Sequence, residues 1–421
     1  MSGGVVYCKP TGFRMFLKVK NFGPIQEGFS SSADGYFEMT RFSVFIGDQG
    51  TGKSTVAKLY STLSWLEKAF VRRYYDLFSL QDFVHLCCYQ RIPEEYFSTA
   101  TEIGYKGAAF AFEIKNSSFK FSRNDGAYIC PKILYTPSER NLLSVLDDLE
   151  RTNALSQLLK DYKAEMRLAN KVLAASDSMR LLGYDIRYDK RTDTNYVTPR
   201  GDAVSIPVTE ASSGIQSVVP LFIVSEALSS EVHKPVWERL KDANASIQAL
   251  VLDTMGEEQK KERLRRFITS GIGKSLPFDD ADLGKALDRY VNSRFMHIVE
   301  EPEQNLFPSS QRAVLSGLVS QYNRSGRNAL ILTTHSPYIL SAINNCLYAE
   351  KIFAETGRTL PELPAEQFVS IDDMSAYKLD SGRIESIKDS EYNLIDSTAI
   401  DDCSSEINAL YEKLADLESA R

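Results

Sequence analysis

Apolar and polar residues recur along the chain with two different periods, which divide it into strand-rich and helix-rich segments. Residues 13–46 and 101–136 favour strands, because apolar positions alternate with polar ones between turn signals. Leucines at helical spacing begin after residue 54, and helical, aromatic-rich character continues over 67–98 up to a break near Pro93. The first third of the chain is therefore predicted to contain two groups of strands separated by helices.

The middle of the chain predicts a long helix over 139–176. Its apolar residues recur at spacings of three and four, but this heptad stripe lasts under three heptads, which favours a packed core helix over a free coiled coil. The stripe consists of Leu155, Leu159, Tyr162, Met166, Ala169 and Leu173.

The second half of the chain predicts hairpins and helices in alternation. A hairpin is expected over 183–209, helices over 236–290, alternating strands and helices over 291–350, and a second hairpin over 366–388 that turns at Asp380-Ser381-Gly382. A final helix would place its apolar residues on one face and dock on the body of the protein. These residues are Ile407, Leu410, Tyr411, Leu414 and Leu417.

Composition is ordinary for a soluble globular protein, with 421 residues, 25% charged and 43% hydrophobic, enough for about two or three domains. A net charge of −7 argues against a protein that coats nucleic acid, although a local basic face stays open. Six cysteines without C-x-x-C or zinc spacing favour buried free thiols. No apolar run approaches the ~18 residues of a membrane helix and the N-terminus lacks a signal-peptide core, so we expect a cytoplasmic protein without a membrane partner.

One segment, GDQGTGKS at 47–54, fits G-x-x-x-x-G-K-[ST]. The apolar run at 42–46 precedes it and a helical pattern follows it, as a phosphate-binding loop requires. Backbone N–H groups would surround the phosphates, Lys53 would reach the β- and γ-phosphates, and Ser54 would hold Mg²⁺. A similar run at 271–275 lacks the first glycine and a preceding strand, which favours a simple loop. The residues predicted to bind nucleotide here are Gly47, Asp48, Gln49, Gly50, Thr51, Gly52, Lys53, Ser54 and Thr55.

Two later apolar strands each end in a reactive side chain. The run 295–299 leads into Glu300 and Glu301, as in a Walker B strand, where Glu300 would orient Mg²⁺ and Glu301 would polarise the attacking water. The run 329–334 delivers His335 to a strand end, where its imidazole could contact the γ-phosphate or the water. The plainer alternatives are a charged exit turn and a structural histidine.

Small residues precede a helical run in the segment 210–217. Ser212, Ser213 and Gly214, followed by Gln216, would let backbone N–H groups approach an anion closely. Alone, this pattern predicts only a helix cap supplied by one of the two serines.

Together and in this order, the four segments resemble the ATP-binding-cassette (ABC) ATPases of the SMC, RecF and OLD-like group. The run MFLKVKNFGPI at 15–25 is similar to the first strand of that group, EEPEQNLFP at 300–308 to its D-E-P-E-x-x-L-H-P stretch, and SSGIQ at 212–216 to its signature loop. The resemblance implies an α/β fold, an ABC-ATPase head with a mixed sheet around a phosphate-loop core, an antiparallel β subdomain and helical inserts.

The resemblance also implies how the chain is divided. The short insert before the signature excludes long SMC arms. The implied units are 1–61 and 100–137 for an N-terminal lobe, 62–99 for a helical insert, 138–180 for an arm-stub insert, 181–235 and 291–421 for a C-terminal lobe, and 236–290 for a further helical insert.

A mechanism follows from the resemblance. Two heads would sandwich two ATP molecules with Mg²⁺, as a homodimer or higher oligomer. Ser213 and Gly214 of one head would touch the γ-phosphate held by the other, and Asn305 would lie at the dimer seam. Glu301 would activate water, and His335 would sense the γ-phosphate.

The Q-loop departs from the pattern of this group. The place of its glutamine reads ILYTPSERN at 133–141, without Gln. Glu139 or Ser138 would have to substitute at Mg²⁺, and Arg140 is equally a candidate for binding a partner.

The resemblance points to the arm-less ATPases of bacterial anti-phage defence, such as those of the PARIS and Septu systems. The leading hypothesis is an oligomeric ATPase that senses infection, through a nucleic acid or a phage protein, and controls a separate nuclease or toxin. The segment after His335 is small for a Toprim nuclease domain and lacks its acidic pattern. Two alternatives stay open: a RecF-like repair ATPase that binds DNA through the basic run 257–266, and a scaffold that binds ATP but rarely hydrolyses it. The absent Q-loop glutamine and the run EEPE at 300–303 argue against a third, a transporter motor.

Overall fold

A computed structural model describes residues 14–145, 156–174, 178–201, 204–270, 275–277, 281–389 and 391–396, which form a mixed α/β protein. The strands are β1 (Met15–Lys20), β2 (Gly28–Phe29), β3 (Phe37–Met39), β4 (Phe42–Ile46), β5 (Glu102–Lys106), β6 (Phe110–Lys115), β7 (Ser118–Arg123), β8 (Pro131–Thr136), β9 (Met179–Leu181), β10 (Tyr184–Asp189), β11 (Thr194–Pro199), β12 (Ile206–Pro207), β13 (Arg294–Glu300), β14 (Ala329–Thr334), β15 (Met374–Asp380), β16 (Arg383–Ser386), β17 (Lys388–Asp389) and β18 (Leu394–Ile395). The helices are α1 (Lys53–Val71), α2 (Leu80–Tyr89), α3 (Leu142–Val145), α4 (Gln157–Leu173), α5 (Ser213–His233), α6 (Val236–Asp242), α7 (Ala245–Asp253), α8 (Glu258–Ser270), α9 (Ala281–Tyr290), α10 (Pro308–Asn323) and α11 (Pro337–Thr356).

A seven-stranded sheet lies at the centre, in the order β2-β16-β15-β4-β14-β13-β8. The five strands from β15 to β8 run parallel, and β16 is antiparallel to β15. β4, β13 and β14 are buried along their whole length because helices and a second sheet cover both faces. This double coverage explains why they read as continuous apolar runs in the sequence. β4 and β8 come from the implied N-terminal lobe and the other parallel strands from the implied C-terminal lobe, so the two share one sheet.

The two faces of this sheet pack against different layers. Because successive side chains in a strand point to opposite faces, β4 sends Phe45 to one layer and Phe42, Val44 and Ile46 to the other. Phe45 packs with α1 and the antiparallel sheet β3-β1-β5-β6-β7, and the other three pack with α5, α10 and α11. The strands predicted over 13–46 and 101–136 are confirmed.

α4 and α5 pack together with a third, antiparallel sheet in the order β12-β11-β10-β9. The heptad stripe from Leu159 to Leu173 is buried on α4, as a core helix requires, and the hairpin predicted around 190–195 is confirmed. The predicted continuous helix over 139–176 is wrong at its start: a short 3-10 turn at 138–141 leads into α3, and Ser156 caps a separate helix by accepting from the N–H of Leu159. Residues 146–155 lie outside the described ranges.

Three other expectations need correction or comment. The segment 67–98 is not continuously helical, because α1 ends at Val71 and Arg73 adopts a φ of 56° before α2. Cys88 is exposed, whereas the other described cysteines are buried as expected. The turn at 380–382 is confirmed, while the predicted final helix and residues 271–274 lie outside the described part of the chain.

The apolar character of α5 bears on the inference that no segment is long and apolar enough to form a membrane helix. Among the described helices it alone has the length and hydropathy of a membrane span, which the sequence inspection did not predict. However, 72% of its most apolar window is buried inside the protein, between α4, α10 and the central sheet. The helix therefore has the environment of a core helix.

Candidate nucleotide-binding site

The loop between β4 and α1 curls back on itself. Gly47, Gly50 and Gly52 have φ values of 142°, 78° and 105°, which favour glycine over other residues. A Cβ at Gly47 would lie 2.1 Å from the carbonyl oxygen of Leu379, whereas a Cβ at Gly50 would meet nothing within 4 Å. The loop is therefore tightly packed at Gly47 and open to solvent at Gly50, and it leads into a helix. Backbone N–H groups in such a loop can bind phosphate oxygens.

Lys53 occupies the inside of this loop. Its ammonium donates to the carbonyl oxygens of Gly47 and Asp48, both at 2.7 Å. Burial lowers the pKa of Lys53 to about 8, against the nearby carboxylates of Glu301 and Asp48, which raise it. The other residues of this loop that were predicted to bind nucleotide differ in exposure: Asp48, Gln49 and Gly50 are exposed, Thr51 and Ser54 are half-buried, and Gly52 and Thr55 are buried.

Four parallel strands bring distant segments to this loop. The register pairs at their carboxyl ends are Ile46 with Thr334, Thr333 with Glu300, and Val299 with Thr136. The next residues of the four strands, Gly47, His335, Glu301 and Pro137, therefore follow one another along one edge of the sheet. Ligands of open α/β sheets bind at such an edge.

Glu301 and His335 contact each other at this edge. Nε2 of His335 lies 3.3 Å from Oε1 of Glu301, and each side chain is about one-third exposed. The hydrogen bond from His335 lowers the pKa of Glu301, although burial opposes it, and the charges of His335 and Lys53 add to the lowering. Glu301 is therefore an ionised carboxylate with access to solvent, and it can accept a proton from water.

Glu303 holds the two turns together. Its Oε1 accepts hydrogen bonds from the backbone N–H of His335 and from the hydroxyl of Thr334, both at 2.8 Å. Its Oε2 is buried without a partner among the described residues, and burial raises the pKa of Glu303. Sequence reasoning gave Glu303 no role; the available signal was its place two residues after Glu301.

Glu300 is buried and already bonded. The Tyr135 hydroxyl donates to Oε1 at 2.5 Å, and the Ser138 backbone N–H donates to Oε2 at 3.0 Å. Each carboxylate oxygen can accept a further bond, and Mg²⁺ is commonly held by one or two carboxylates together with phosphate oxygens and water. Ser54, in the first turn of α1, and Glu300 fit such an ion. No cluster of three or more acidic, His or Cys side chains in the described ranges could hold a metal.

Glu139, the other predicted metal ligand, is engaged elsewhere. Its Oε1 lies 2.5 Å from Nη1 of Arg91, and its Oε2 accepts from the Ser138 hydroxyl at 3.4 Å. The ion pair would have to open before Glu139 could approach Mg²⁺, so that assignment stays a prediction.

Arg140 is a buried residue that links three segments of the chain, and its interpretation as a partner-binding residue is wrong. It is 0% exposed, and its guanidinium donates to four backbone carbonyl oxygens, those of Pro137, Ser217, Glu300 and Glu301, at 2.7–3.2 Å. It therefore links the turn after β8, the end of β13 and the first turns of α5. An exposed partner could not reach it.

The signature segment lies beside the turn that contains Asn305. Ser212 and Ser213 are exposed at the start of α5, and Gln216 is half-buried. A Cβ at Gly214 would lie 2.8 Å from the carbonyl oxygen of Asn305, which is itself exposed with a φ of 59°. Within the described ranges, no hydrogen bond or ion pair joins this segment to the phosphate loop of the same chain.

The basic run proposed to bind DNA forms much of α8. Its charges pair along the helix, which is the behaviour of a solvated helix face and gives no specific support to DNA binding. The pairs are Lys260 with Glu257 at 3.0 Å, Lys261 with Glu258 at 3.8 Å, and Arg265 and Arg266 with Glu262 at 2.9 Å each.

Comparison with known proteins gives no family. No family model and no curated protein matches the chain. Among solved structures, the SMC head domain from Thermotoga maritima matches with a TM-score of 0.35 and 9% sequence identity, over 88% of this chain and 97% of that chain. A likeness of this size assigns no function, which must be inferred from the site itself.

Proposed function

We propose that this chain is an ABC-type ATPase head that binds ATP with Mg²⁺ and hydrolyses it to ADP and phosphate. The observation that carries the proposal is the row of side chains at one sheet edge. Lys53 lies inside a loop shaped for phosphates, and an ionised carboxylate, Glu301, lies close enough to influence its pKa and contacts His335. Phosphate binding and activation of water require these two functions side by side.

The chemistry of the chain's residues follows from this arrangement. Lys53 exchanges the carbonyl oxygens of Gly47 and Asp48 for β- and γ-phosphate oxygens. Glu301 takes a proton from the water that attacks the γ-phosphorus, while the bond to the β-γ bridging oxygen breaks and ADP leaves. His335 keeps Glu301 ionised and oriented. Mg²⁺, held by the Ser54 hydroxyl and the Glu300 carboxylate, would neutralise phosphate charge.

The proposal includes pairing of two heads over two ATP molecules. It is supported by the exposed serines at the start of α5, where a helix N-terminus favours an anion, and by the lack of a bond from this segment to its own phosphate loop. Ser213 and Gly214 of one head would then reach the γ-phosphate bound by the other. Asn305, beside Gly214, would lie at the seam.

Binding and hydrolysis of radiolabelled ATP test the enzymatic part. Lys53→Ala should lose both, Glu301→Gln should retain binding and lose about 10²–10⁴-fold in turnover, and the exposed Lys20→Ala should behave as wild type. Hydrolysis by Lys53→Ala at the wild-type rate would reject the site.

For the biological role, we propose an oligomeric cytoplasmic sensor that controls a separate nuclease or toxin in anti-phage defence. This part rests on the sequence resemblance. Glu301→Gln purified from its host with ATP should retain the effector, and Lys53→Ala should not. Cleavage of DNA by the purified chain alone would contradict a separate effector.

A further inference from the structure

A small polar cavity lies behind the turn that begins α5. Its volume is about 100 Å³, and α3, α4, β11 and the segment before α5 line it. One water requires roughly 10–15 Å³ of such volume, so the cavity has room for several waters or one small polyatomic ion.

Two buried amides facing this cavity lack a partner. Asn170 on α4 and Asn195 on β11 are 5% and 7% exposed, and both line the cavity. The Oδ1 atom of each is buried without a hydrogen bond to any described residue. Buried side-chain amides nearly always have a partner, so the two unpaired amides on this lining call for a partner that is not among the described residues.

The charges and hydroxyls of the lining indicate what fits. Lys163 and Arg167 add two cations, and Lys163 is half-buried without a hydrogen bond or ion pair to a described residue. The one acidic lining residue, Asp193, already accepts from the Tyr188 hydroxyl at 2.5 Å. Because the O and N atoms of an Asn amide are interchangeable by rotation, both amides can turn N–H donors inward.

We propose that this cavity binds one small oxyanion of phosphate size. The Lys163 ammonium would supply charge, and the amides of Asn170 and Asn195, with the lining hydroxyls, would supply hydrogen bonds. Charge-assisted bonds of this kind are the stronger ones in proteins.

The cavity is connected to the signature segment. The Ser144 hydroxyl, which lines the cavity, donates to the carbonyl oxygen of Gln216 at 2.7 Å. The Gln216 side chain in turn donates to the carbonyl oxygen of Thr209, a second lining residue, at 2.9 Å. An anion bound here would stabilise the turn at 212–216 through these two hydrogen bonds. Any effect of a bound anion on the pairing of heads rests on the proposed function, whereas anion binding itself does not.

Calorimetric titration with inorganic phosphate tests the site in the full chain. The Lys53→Ala background removes phosphate binding at the loop, and ionic strength is held constant with chloride. One saturable site per chain is expected, weakened at least tenfold by adding Lys163→Gln. The matched control Lys160→Gln, exposed on the same helix outside the cavity, should bind like the background. No saturable binding, or equal binding after Lys163→Gln, would overturn the proposal.

A second measurement separates anion binding from a cavity that holds only water. Phosphate should slow hydrogen exchange of the peptide 208–219 in the Lys53→Ala background, but not after Lys163→Gln. A water-filled cavity predicts no phosphate response in either protein, which would also overturn the proposal. Both measurements use the Lys53→Ala background, which cannot hydrolyse ATP under the proposed function. Their outcome therefore does not depend on whether the wild type is an ATPase, and the two proposals can fail independently.

Discussion

The imidazole Nε2 of His335 lies 3.3 Å from the carboxylate Oε1 of Glu301, although the two residues follow different strands of the sheet. β13 and β14 are parallel neighbours, so their carboxyl ends meet and the two turns after them place both side chains together. The contact is also electrostatic, since the hydrogen bond from His335 is the largest cause of the lowered pKa of Glu301.

Removing that contact should move the pH profile of hydrolysis. In His335→Ala the pKa of Glu301 should rise toward its ordinary value, because the lowering bond is lost. A base must be ionised to act, so the acid limb of the kcat–pH profile should shift to higher pH. His335→Gln, which keeps an N–H donor, should shift it less. Steady-state rates from about pH 3.5 to pH 7, which span the ordinary pKa of 4.5, test this, and an unmoved acid limb in His335→Ala would contradict the proposed roles.

ATP affinity should fall as the pH rises through about 8, the value to which burial lowers the pKa of Lys53. The protonated ammonium binds phosphate, and above that pH an increasing fraction of Lys53 is neutral, so affinity should fall by up to about tenfold per pH unit. Equilibrium binding of a non-hydrolysable ATP analogue at several pH values measures this. Lys53→Arg should bind more weakly but without this dependence, because arginine stays charged. A flat wild-type profile between pH 7 and pH 10 would oppose the prediction.

Glu303 should make stability depend on pH in the opposite sense to a paired carboxylate. Burial raises its pKa in the folded protein, so its contribution is fully present below the ordinary pKa of 4.5 and is lost as the pH rises through the folded value. Glu303→Gln keeps the acceptor for His335 and removes the charge. We expect its free energy of unfolding to exceed that of the wild type at pH 8 by about 1 kcal/mol, with a smaller difference at pH 5.

A matched variant separates the charge of Glu303 from its hydrogen bonds. Glu303→Leu leaves the His335 N–H and the Thr334 hydroxyl without their acceptor and should destabilise by about 1–3 kcal/mol at both pH values. Urea denaturation measures both variants. If Glu303→Gln is no more stable than the wild type at pH 8, the buried charge does not have the assigned effect.

Arg140 should be one of the most sensitive polar positions in the fold. Arg140→Met removes the guanidinium from four backbone carbonyl oxygens, of which those of Pro137 and Glu301 keep a backbone N–H donor. We expect a loss of about 3–5 kcal/mol in the free energy of unfolding. Arg140→Lys should recover only part of this loss, because one ammonium cannot donate to all the carbonyl oxygens that the guanidinium reaches. The control Arg91→Met, which removes a partly exposed ion pair with Glu139, should cost less than about 1 kcal/mol. Equal losses for Arg140→Met and Arg91→Met would refute the role of Arg140 in linking these segments.

The sequence predicted those parts of the fold that depend on local pattern. The glycines of 47–52 predicted a tight turn between β4 and α1, because glycine favours the positive φ values found there. The apolar runs of β4, β13 and β14 predicted strands that are buried on both faces. Parallel strand ends then placed Glu301 and His335 at one edge.

The remainder depends on contacts that no local pattern encodes. Arg140 was interpreted as a candidate for binding a partner because only the folded chain shows that it is enclosed by carbonyl oxygens from β13, α5 and its own turn. Tyr135 and Glu303 gained no assignment for the same reason. The break between α1 and α2 was missed because Arg73, a residue without special backbone freedom, takes the left-handed conformation there.

The most direct test of the account is the mass of Glu301→Gln in solution with and without ATP, measured by analytical ultracentrifugation. Two heads closed over ATP predict a monomer that becomes a dimer when ATP and Mg²⁺ are added. Lys53→Ala should remove this change by loss of ATP binding, and Ser213→Arg should remove it while ATP binding persists. A Glu301→Gln protein that stays monomeric at saturating ATP, or a Ser213→Arg variant that dimerises as well as its parent, would contradict the pairing of heads through the start of α5.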